Sequence, residues 1–62
     1  MTGREGIEEA RRILEETVRL AKALYGRRWI DVLEQLEDKY EGDPYWVLEH
    51  LREEARRRGI RV

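Results

Sequence analysis

Apolar residues recur every three or four positions along most of this chain, which is the spacing of one face of an α-helix. Gly26, the step Gly42-Asp43-Pro44 and Gly59 interrupt this pattern. The sequence therefore predicts three helical stretches followed by a short C-terminal tail. Their approximate bounds are residues 4–25, 28–41 and 44–58 for the helices and 59–62 for the tail.

The step from Gly42 to Pro44 is the most specific local signal. We expect Gly42 to stop the second helix, Asp43 to cap the third, and Pro44 to occupy its first position, where no N–H is needed. So short a connection makes the two helices that it joins antiparallel. Gly26 suits the left-handed residue that ends the first helix.

The outer helix ends carry signals of their own. Thr2 and Glu5 have the spacing of an N-terminal capping box. Gly59 is expected to end the third helix in a left-handed conformation, so that Ile60 folds back onto Ala55 in a Schellman-type contact. On the helix surfaces, four pairs of acidic and basic residues have the favourable i,i+4 order. They are Glu8–Arg12, Glu15–Arg19, Glu53–Arg57 and Glu54–Arg58.

Three amphipathic helices with short loops can bury their apolar stripes only against one another. We therefore predict an all-α protein with one domain, residues 1–62, folded as an up-down-up three-helix bundle. The expected core takes residues from all three stripes. They are Ile7, Ala10, Leu14, Val18, Ala21, Leu24, Trp29, Leu33, Leu36, Tyr40, Val47, Leu48, Leu51 and Ala55.

Other apolar residues are expected to close the ends of this bundle. Tyr40 and Tyr45 would close one end, and Ile60 and Val62 would close the other. The first helix would be about 33 Å long at 1.5 Å per residue, well beyond the length of the other two. Its first turns are therefore expected to overhang.

A strand is the alternative interpretation for the start of the second stretch. In that case residues 27–30 would pair with residues 60–62. We prefer the helix because Trp29 continues the stripe of Leu33 and Leu36, and because two strands that short are barely stable.

Charge and composition narrow the classes of function. The 62 residues include 13 basic and 14 acidic side chains, so the net charge of −1 gives no overall attraction to nucleic acid or to an anionic membrane. No apolar run approaches the roughly 20 residues that span a bilayer, and no targeting signal is recognisable. We expect a soluble protein suited to cytoplasmic expression. Cysteine and serine are absent, which excludes disulfides and removes common nucleophiles.

Three features of this chain occur together: the Gly42-Asp43-Pro44 loop, a surface that runs from acidic to basic between Glu49 and Arg58, and the absence of Ser, Asn and Cys. In these features the whole chain resembles de novo designed helical mini-proteins. The resemblance implies a thermostable monomer selected for folding, without natural activity. Two features depart from that pattern. The turn at residues 25–28 lacks a Ser, Thr or Asp cap, and the ending Gly-Ile-Arg-Val is more typical of a helix-to-strand junction.

His50 is the single histidine, and with Glu53 and Glu54 it forms His-x-x-Glu-Glu on one helix. A metal site needs three or four converging ligands, which this helix alone does not supply. We therefore expect no metal and no cofactor. The chain also has no phosphate-binding glycine loop and no nucleophile motif, so we expect no enzyme activity.

Trp46 is the first candidate for contact with a partner. It lies away from the buried stripe of its helix and shares the outer face with His50. Tryptophan is enriched at binding hot spots. The interpretation that we prefer is structural, with the Trp46 ring lying flat over an adjacent helix end, near Tyr40 or near the first turns of the first helix.

Arginines gather toward one end of the predicted bundle, in the segments 27–28 and 56–61. Complementation of the helix dipole explains the run 56–58 without any ligand. Because acidic residues are mixed through every helix, we expect no binding of nucleic acid.

The leading hypothesis is a designed structural protein whose property is its fold and which requires no partner. The alternative is a designed protein-binding module, or a bundle that self-associates, docking through a helical face with Trp46 and His50 as contacts. The apolar stripe of the first helix motivates this alternative because it is wide, with Ile13 and Leu20 on one flank and Val18 on the other.

Overall fold

The computed structural model describes the backbone of residues 2–61 and the side chains of residues 6–61. Within that part the protein is all-helical and has no strand. Its elements are α1 (Thr2–Tyr25), a 3-10 turn (Gly26–Arg28), α2 (Trp29–Lys39) and α3 (Pro44–Arg57). Residues 27–30 are helical, so the alternative in which they pair as a strand with the C-terminal tail is wrong.

Helical structure continues from α1 through the 3-10 turn into α2 without a non-helical residue between them. Gly26 adopts a left-handed φ of 57°, as predicted for the residue that ends α1. No side chain caps the 3-10 turn or the start of α2. The backbone conformation of Gly26 therefore takes the place of a cap at this joint.

The second helix ends at Lys39, two residues earlier than predicted. Both Glu41 and Gly42 are left-handed, with φ of 54° and 77°. The N–H of Gly42 donates to the carbonyl of Glu37 at 2.7 Å, and the N–H of Glu41 donates to Asp38 at 3.4 Å. This is the hydrogen-bond pattern of a Schellman motif, with Glu41 in the position that usually holds glycine.

Both ends of α3 form as predicted. The Asp43 carboxylate accepts the backbone N–H of Tyr45 at 3.0 Å, and Pro44 occupies the first helical position. At the other end, Gly59 has a φ of 74° and Ile60 donates its N–H to the carbonyl of Ala55 at 2.8 Å. These hydrogen bonds provide partners for backbone N–H and C=O groups that have none within the helix.

Side-chain contacts define how the helices run past one another. Three contacts between α1 and α3 progress in the same direction along both helices. They are Glu9 with Tyr45, Glu16 with Arg52, and Leu24 with Arg58. Between α1 and α2, the Lys22 ammonium lies 5.0 Å from the centroid of the Trp29 ring. Since Trp29 opens α2 just after α1 ends, α2 runs back along α1.

One cluster of buried hydrophobic residues takes members from every helix. They are Leu20, Ala21, Leu24, Leu36, Val47, Leu48, Leu51 and Ala55. Trp29, Leu33, Tyr40 and Ile60 pack against this cluster while partly exposed. The predicted stripes of α2 and α3 are therefore confirmed.

The predicted core of α1 is wrong from Ile7 to Leu14. Ile7 is 64% exposed and Leu14 is 62% exposed, and Ala10 is exposed as well. Val18 is half-buried and lies outside the central cluster.

The buried face of α1 is rotated about its axis by part of a turn from the predicted one. Leu20 and Thr17 are buried, and Ile13 packs against the core, although the sequence analysis placed Ile13 and Leu20 on a flank. The apolar stripe of α1 is wider than the surface that two neighbouring helices cover. Contacts with both neighbours select the side that contains Leu20 and Leu24.

The ends of the fold differ in part from the prediction. Tyr40 packs against the core, but Tyr45 is 55% exposed and donates its hydroxyl to Glu9 rather than closing the interior. Residues 6–12 are all exposed, although Glu9 accepts a hydrogen bond from Tyr45 in the first turn of α3. The predicted roles of Val62 and of the Thr2–Glu5 side chains lie outside the described part.

Candidate interaction surface

Three ring side chains meet where α2 ends and α3 begins, and we call Tyr40, Trp46 and His50 the aromatic patch. The rings of Tyr40 and Trp46 are stacked, with centroids 6.2 Å apart and planes inclined by 14°. The ring of His50 meets that of Tyr40 edge-on at 5.9 Å, and its Nδ1 lies 3.0 Å from the Tyr40 hydroxyl. The two candidate residues from the sequence thus lie in one cluster.

The short loop between the helices builds this patch. Tyr40 is the C-terminal cap residue of α2, and Asp43 fixes the first turn of α3 through its cap. Trp46 and His50 follow one turn apart, so they share a face of α3. Tyr40 completes the patch because only three residues separate it from the start of α3.

The structure combines both interpretations of Trp46. Its ring lies against Tyr40, one of the two neighbours that we expected from the sequence, yet the residue is 61% exposed. His50 and Tyr40 are half-buried. Sequence reasoning assigned Tyr40 to the core and named it as a neighbour of Trp46, but missed its contact with His50. Its position at the end of an apolar stripe, next to a short loop, was the available signal.

A shallow groove of about 280 Å³ adjoins the aromatic patch on the outer side of α3. Its acidic residues each contact an arginine of the same helix or of its C-terminal cap. The pairs are Glu49–Arg52 at 3.1 Å, Glu53–Arg56 at 2.7 Å and Glu54–Arg58 at 3.4 Å. The predicted pair Glu54–Arg58 is thus confirmed, whereas Glu53 pairs with Arg56 and not with Arg57. The hydrogen bond from Arg56 lowers the pKa of Glu53.

The chemistry that this groove offers is contact and hydrogen bonding. In the described part of the chain, no group of three or more His, Asp and Glu residues is arranged to hold a metal ion. The His50 imidazole is hydrogen-bonded to the hydroxyl of Tyr40, and the chain contains neither serine nor cysteine as a nucleophile. An exposed indole supported by a second ring is the kind of side chain that anchors protein–protein contacts.

Two arginines near this surface connect α3 to α1. Arg52 donates from Nη2 to both carboxylate oxygens of Glu16, at 3.0 and 2.9 Å, and this hydrogen bonding raises the pKa of Arg52. Arg58 donates to the carbonyl of Leu24 at 2.7 Å, and its guanidinium lies 5.1 Å from the centroid of the Tyr25 ring. Arg58 therefore satisfies an end carbonyl of α1, which is a structural role.

A second exposed surface lies on α1. We call Ile7, Leu14 and Val18 the outer stripe. A cleft of about 110 Å³, bordered by Leu14 and by Pro44, adjoins it. The sequence analysis assigned all three residues of the outer stripe to the core, although it also named the width of the apolar stripe of α1 as a reason for binding.

Comparisons of the chain with protein-family models, with curated proteins and with solved structures find no match. In the part of the chain that the structure describes, no helix combines the length and the apolar character needed to cross a membrane.

Proposed function

We propose that this chain is a designed three-helix bundle of up-down-up topology, and that its property is its fold rather than a chemical activity. The observation that carries the proposal is the single cluster of eight buried hydrophobic residues to which α1, α2 and α3 all contribute. A chain of this size buries only about 60% of the surface that it exposes when unfolded, so one shared core must supply most of its stability.

The hydrogen bonding of buried polar side chains supports the same proposal. Among the described side chains, no buried nitrogen or oxygen lacks a hydrogen-bond partner. The buried hydroxyl of Thr17 donates to the carbonyl of Ile13 at 2.6 Å, within its own helix. Unpaired buried polar groups mark many functional sites, and this interior is built for packing alone.

Helix ends and surface charges support a designed origin. Asp43 and Pro44 start α3 as stated rules for caps require, and Gly59 stops it. Basic residues Arg56 and Arg57 occupy its last turn, where they complement the helix dipole. We assign no catalytic role to His50, and a turnover abolished by His50→Ala would contradict the proposal.

Nuclear Overhauser spectroscopy of the purified chain tests the proposed topology. We expect cross-peaks at each joint between helices: Lys22 with Trp29, Tyr25 with Arg58, and Tyr40 with Trp46. The first contact joins α1 to α2, the second joins α1 to the end of α3, and the third joins α2 to α3. Absence of the Tyr25–Arg58 cross-peak in a chain with a helical circular-dichroism spectrum would contradict the topology.

A protein-binding module is the second candidate function. Five large hydrophobic residues are more than half exposed, and two of them, Ile7 and Leu14, lie on α1. Clustered exposed apolar residues mark interaction sites, whereas single ones are ordinary. The aromatic patch and the outer stripe are the two surfaces that such a role would use.

A further inference from the structure

We propose that the outer stripe of α1 binds a second copy of this chain, with the two α1 helices antiparallel across a two-fold axis. This inference rests on the binding role given above as the second candidate function, and it names the partner.

The outer stripe is the most exposed aliphatic surface of the protein. Among the large hydrophobic residues of the described part, Ile7 and Leu14 are the two most exposed, at 64% and 62%. Ile7, Leu14 and Val18 are separated by seven and four residues, so they form one line along α1 at about 100° per residue. The cleft beside Leu14 extends this apolar surface toward Pro44.

Charges along one edge of the outer stripe identify the partner. In chain order, acidic and basic residues alternate along this edge: Glu8, Arg11, Glu15 and Arg19. Reversing that order gives base, acid, base, acid, so the edge is complementary to itself in an antiparallel pair. A two-fold axis near residue 13 places Glu8 opposite Arg19 of the second copy and Arg11 opposite Glu15 of the second copy. In a parallel two-fold pair this edge would face the opposite edge of the other stripe, so only the antiparallel pair uses the complementarity.

The same register also matches the apolar residues. With the axis near residue 13, Ile7 lies opposite Val18 of the second copy, and the two Leu14 side chains lie close to the axis. One register therefore brings the apolar residues together and also pairs the opposite charges of the edge. Such a two-fold contact is isologous, using the same surface on both subunits, which is the commonest arrangement in homodimers.

The edge charges are available for this contact. Among the described side chains, Glu8, Arg11, Glu15 and Arg19 form no ion pair within 4 Å, so the predicted pairs Glu8–Arg12 and Glu15–Arg19 do not form. On α3, by contrast, Arg52 and its neighbours pair with carboxylates. Among the described side chains, the acidic and basic residues beside the outer stripe are therefore free to pair with a second copy.

Sedimentation equilibrium over a wide range of concentrations tests the proposal. We expect the parent chain to reach twice its monomer mass at high concentration. Leu14→Gln should weaken association by about tenfold or more, because it places a polar group at the centre of the contact. Ile30→Gln is the matched control, since Ile30 is also exposed but lies on α2. Equal losses for both variants would overturn the proposal.

Charge reversal tests the antiparallel register. Glu15→Arg places Arg11 opposite a second arginine and should weaken the dimer. The double variant Arg11→Glu with Glu15→Arg exchanges the two charges and should restore dimerisation to near the parental level. A double variant weaker than Glu15→Arg alone would overturn the register.

The absence of cysteine gives an independent test of orientation. Under mild oxidation, Leu14→Cys should form a disulfide-linked dimer because this position lies near the two-fold axis. Ile7→Cys should not, because its counterpart lies at the far end of the contact. Cross-linking of both would indicate a parallel pair and would overturn the proposal.

The circular-dichroism spectrum separates failure of this inference from failure of the fold. A parent chain that keeps its helical spectrum but remains monomeric at every concentration overturns the dimer and leaves the proposed bundle intact. A parent chain without a helical spectrum overturns the fold itself.

Discussion

At the scale of single residues, the contacts between α1 and α3 depend on a few long polar side chains. Tyr45 and Arg52 each reach a carboxylate on α1, Glu9 and Glu16 respectively. Both arginine and tyrosine are amphipathic, so their stems or rings pack while their polar tips stay in water. Exposed contacts of this kind contribute little stability each, because water screens and competes with them. Their main effect is to fix the offset between the two helices.

The pKa of Tyr45 reports directly on one of these contacts. Its hydroxyl donates to Glu9 at 3.0 Å, and this hydrogen bond to a carboxylate raises the pKa of Tyr45. Glu9→Gln keeps an acceptor but removes the charge, so the pKa of Tyr45 should fall toward its ordinary value. The measurement is an NMR titration of the individual tyrosine rings.

The neighbouring acid supplies the control for this titration. Glu8→Gln makes the same change in net charge and should leave the pKa of Tyr45 much closer to its parental value. Equal shifts in both variants would show that Glu9 is not the partner.

Because the pKa of Tyr45 is raised in the folded state, the stability that this contact adds is fully present below the pKa of Tyr45 in the unfolded chain and is lost as the pH rises through its folded-state pKa.

At the scale of elements, two helices could be assigned from sequence more reliably than the third. The buried faces of α2 and α3 are narrow, and every predicted member from Val47 to Ala55 is buried. On α1, Leu14 and Leu20 both lie within a broad apolar stripe, so periodicity alone allows more than one buried face. The positions of the neighbouring helices, which sequence periodicity does not encode, select Leu20.

The aromatic patch, too, could be predicted from the sequence only in part. The face shared by Trp46 and His50 follows from their spacing of four residues, and sequence analysis found it. The part played by Tyr40 depends on how α2 turns into α3. That turn uses two consecutive left-handed residues, Glu41 and Gly42, whereas the sequence indicated only the glycine.

Replacing Glu41 should stabilise the C-terminal end of α2. Glu41 has a φ of 54°, in a region that costs a residue with a Cβ roughly 1–2 kcal/mol. Glu41→Gly removes that strain but adds freedom to the unfolded chain, so the free energy of unfolding should rise by about 0.5–1 kcal/mol. Chemical denaturation monitored by circular dichroism gives the value.

The opposite change at the end of α3 is the control. Gly59 has a φ of 74°, and a Cβ at that position would meet nothing within 4 Å. Gly59→Ala should therefore lower the free energy of unfolding through backbone strain alone, by about 1 kcal/mol. A loss of stability in Glu41→Gly would show that Glu41 is not held in a strained conformation.

At the scale of the whole molecule, stability and association depend on different faces of α1. Leu20 and Leu24 belong to the shared core, whereas Ile7 and Leu14 are more than half exposed. The same helix can therefore support the fold on one side and a second copy on the other.

The most direct test of the fold compares the same substitution in the shared core and on the outer stripe. Leu51 is fully buried at 0% exposure, and Leu14 is 62% exposed. Leu51→Ala and Leu14→Ala remove the same atoms and introduce the same helix-favouring residue. Denaturant unfolding should be measured at a dilution where the chain is monomeric, so that association does not contribute.

Leu51→Ala should lower the free energy of unfolding by about 2–5 kcal/mol, through lost burial and an unfilled cavity. Leu14→Ala should change it by about 0.5 kcal/mol or less, as is usual for exposed sites. Equal losses, or a larger loss for Leu14→Ala, would contradict a core centred on Leu51.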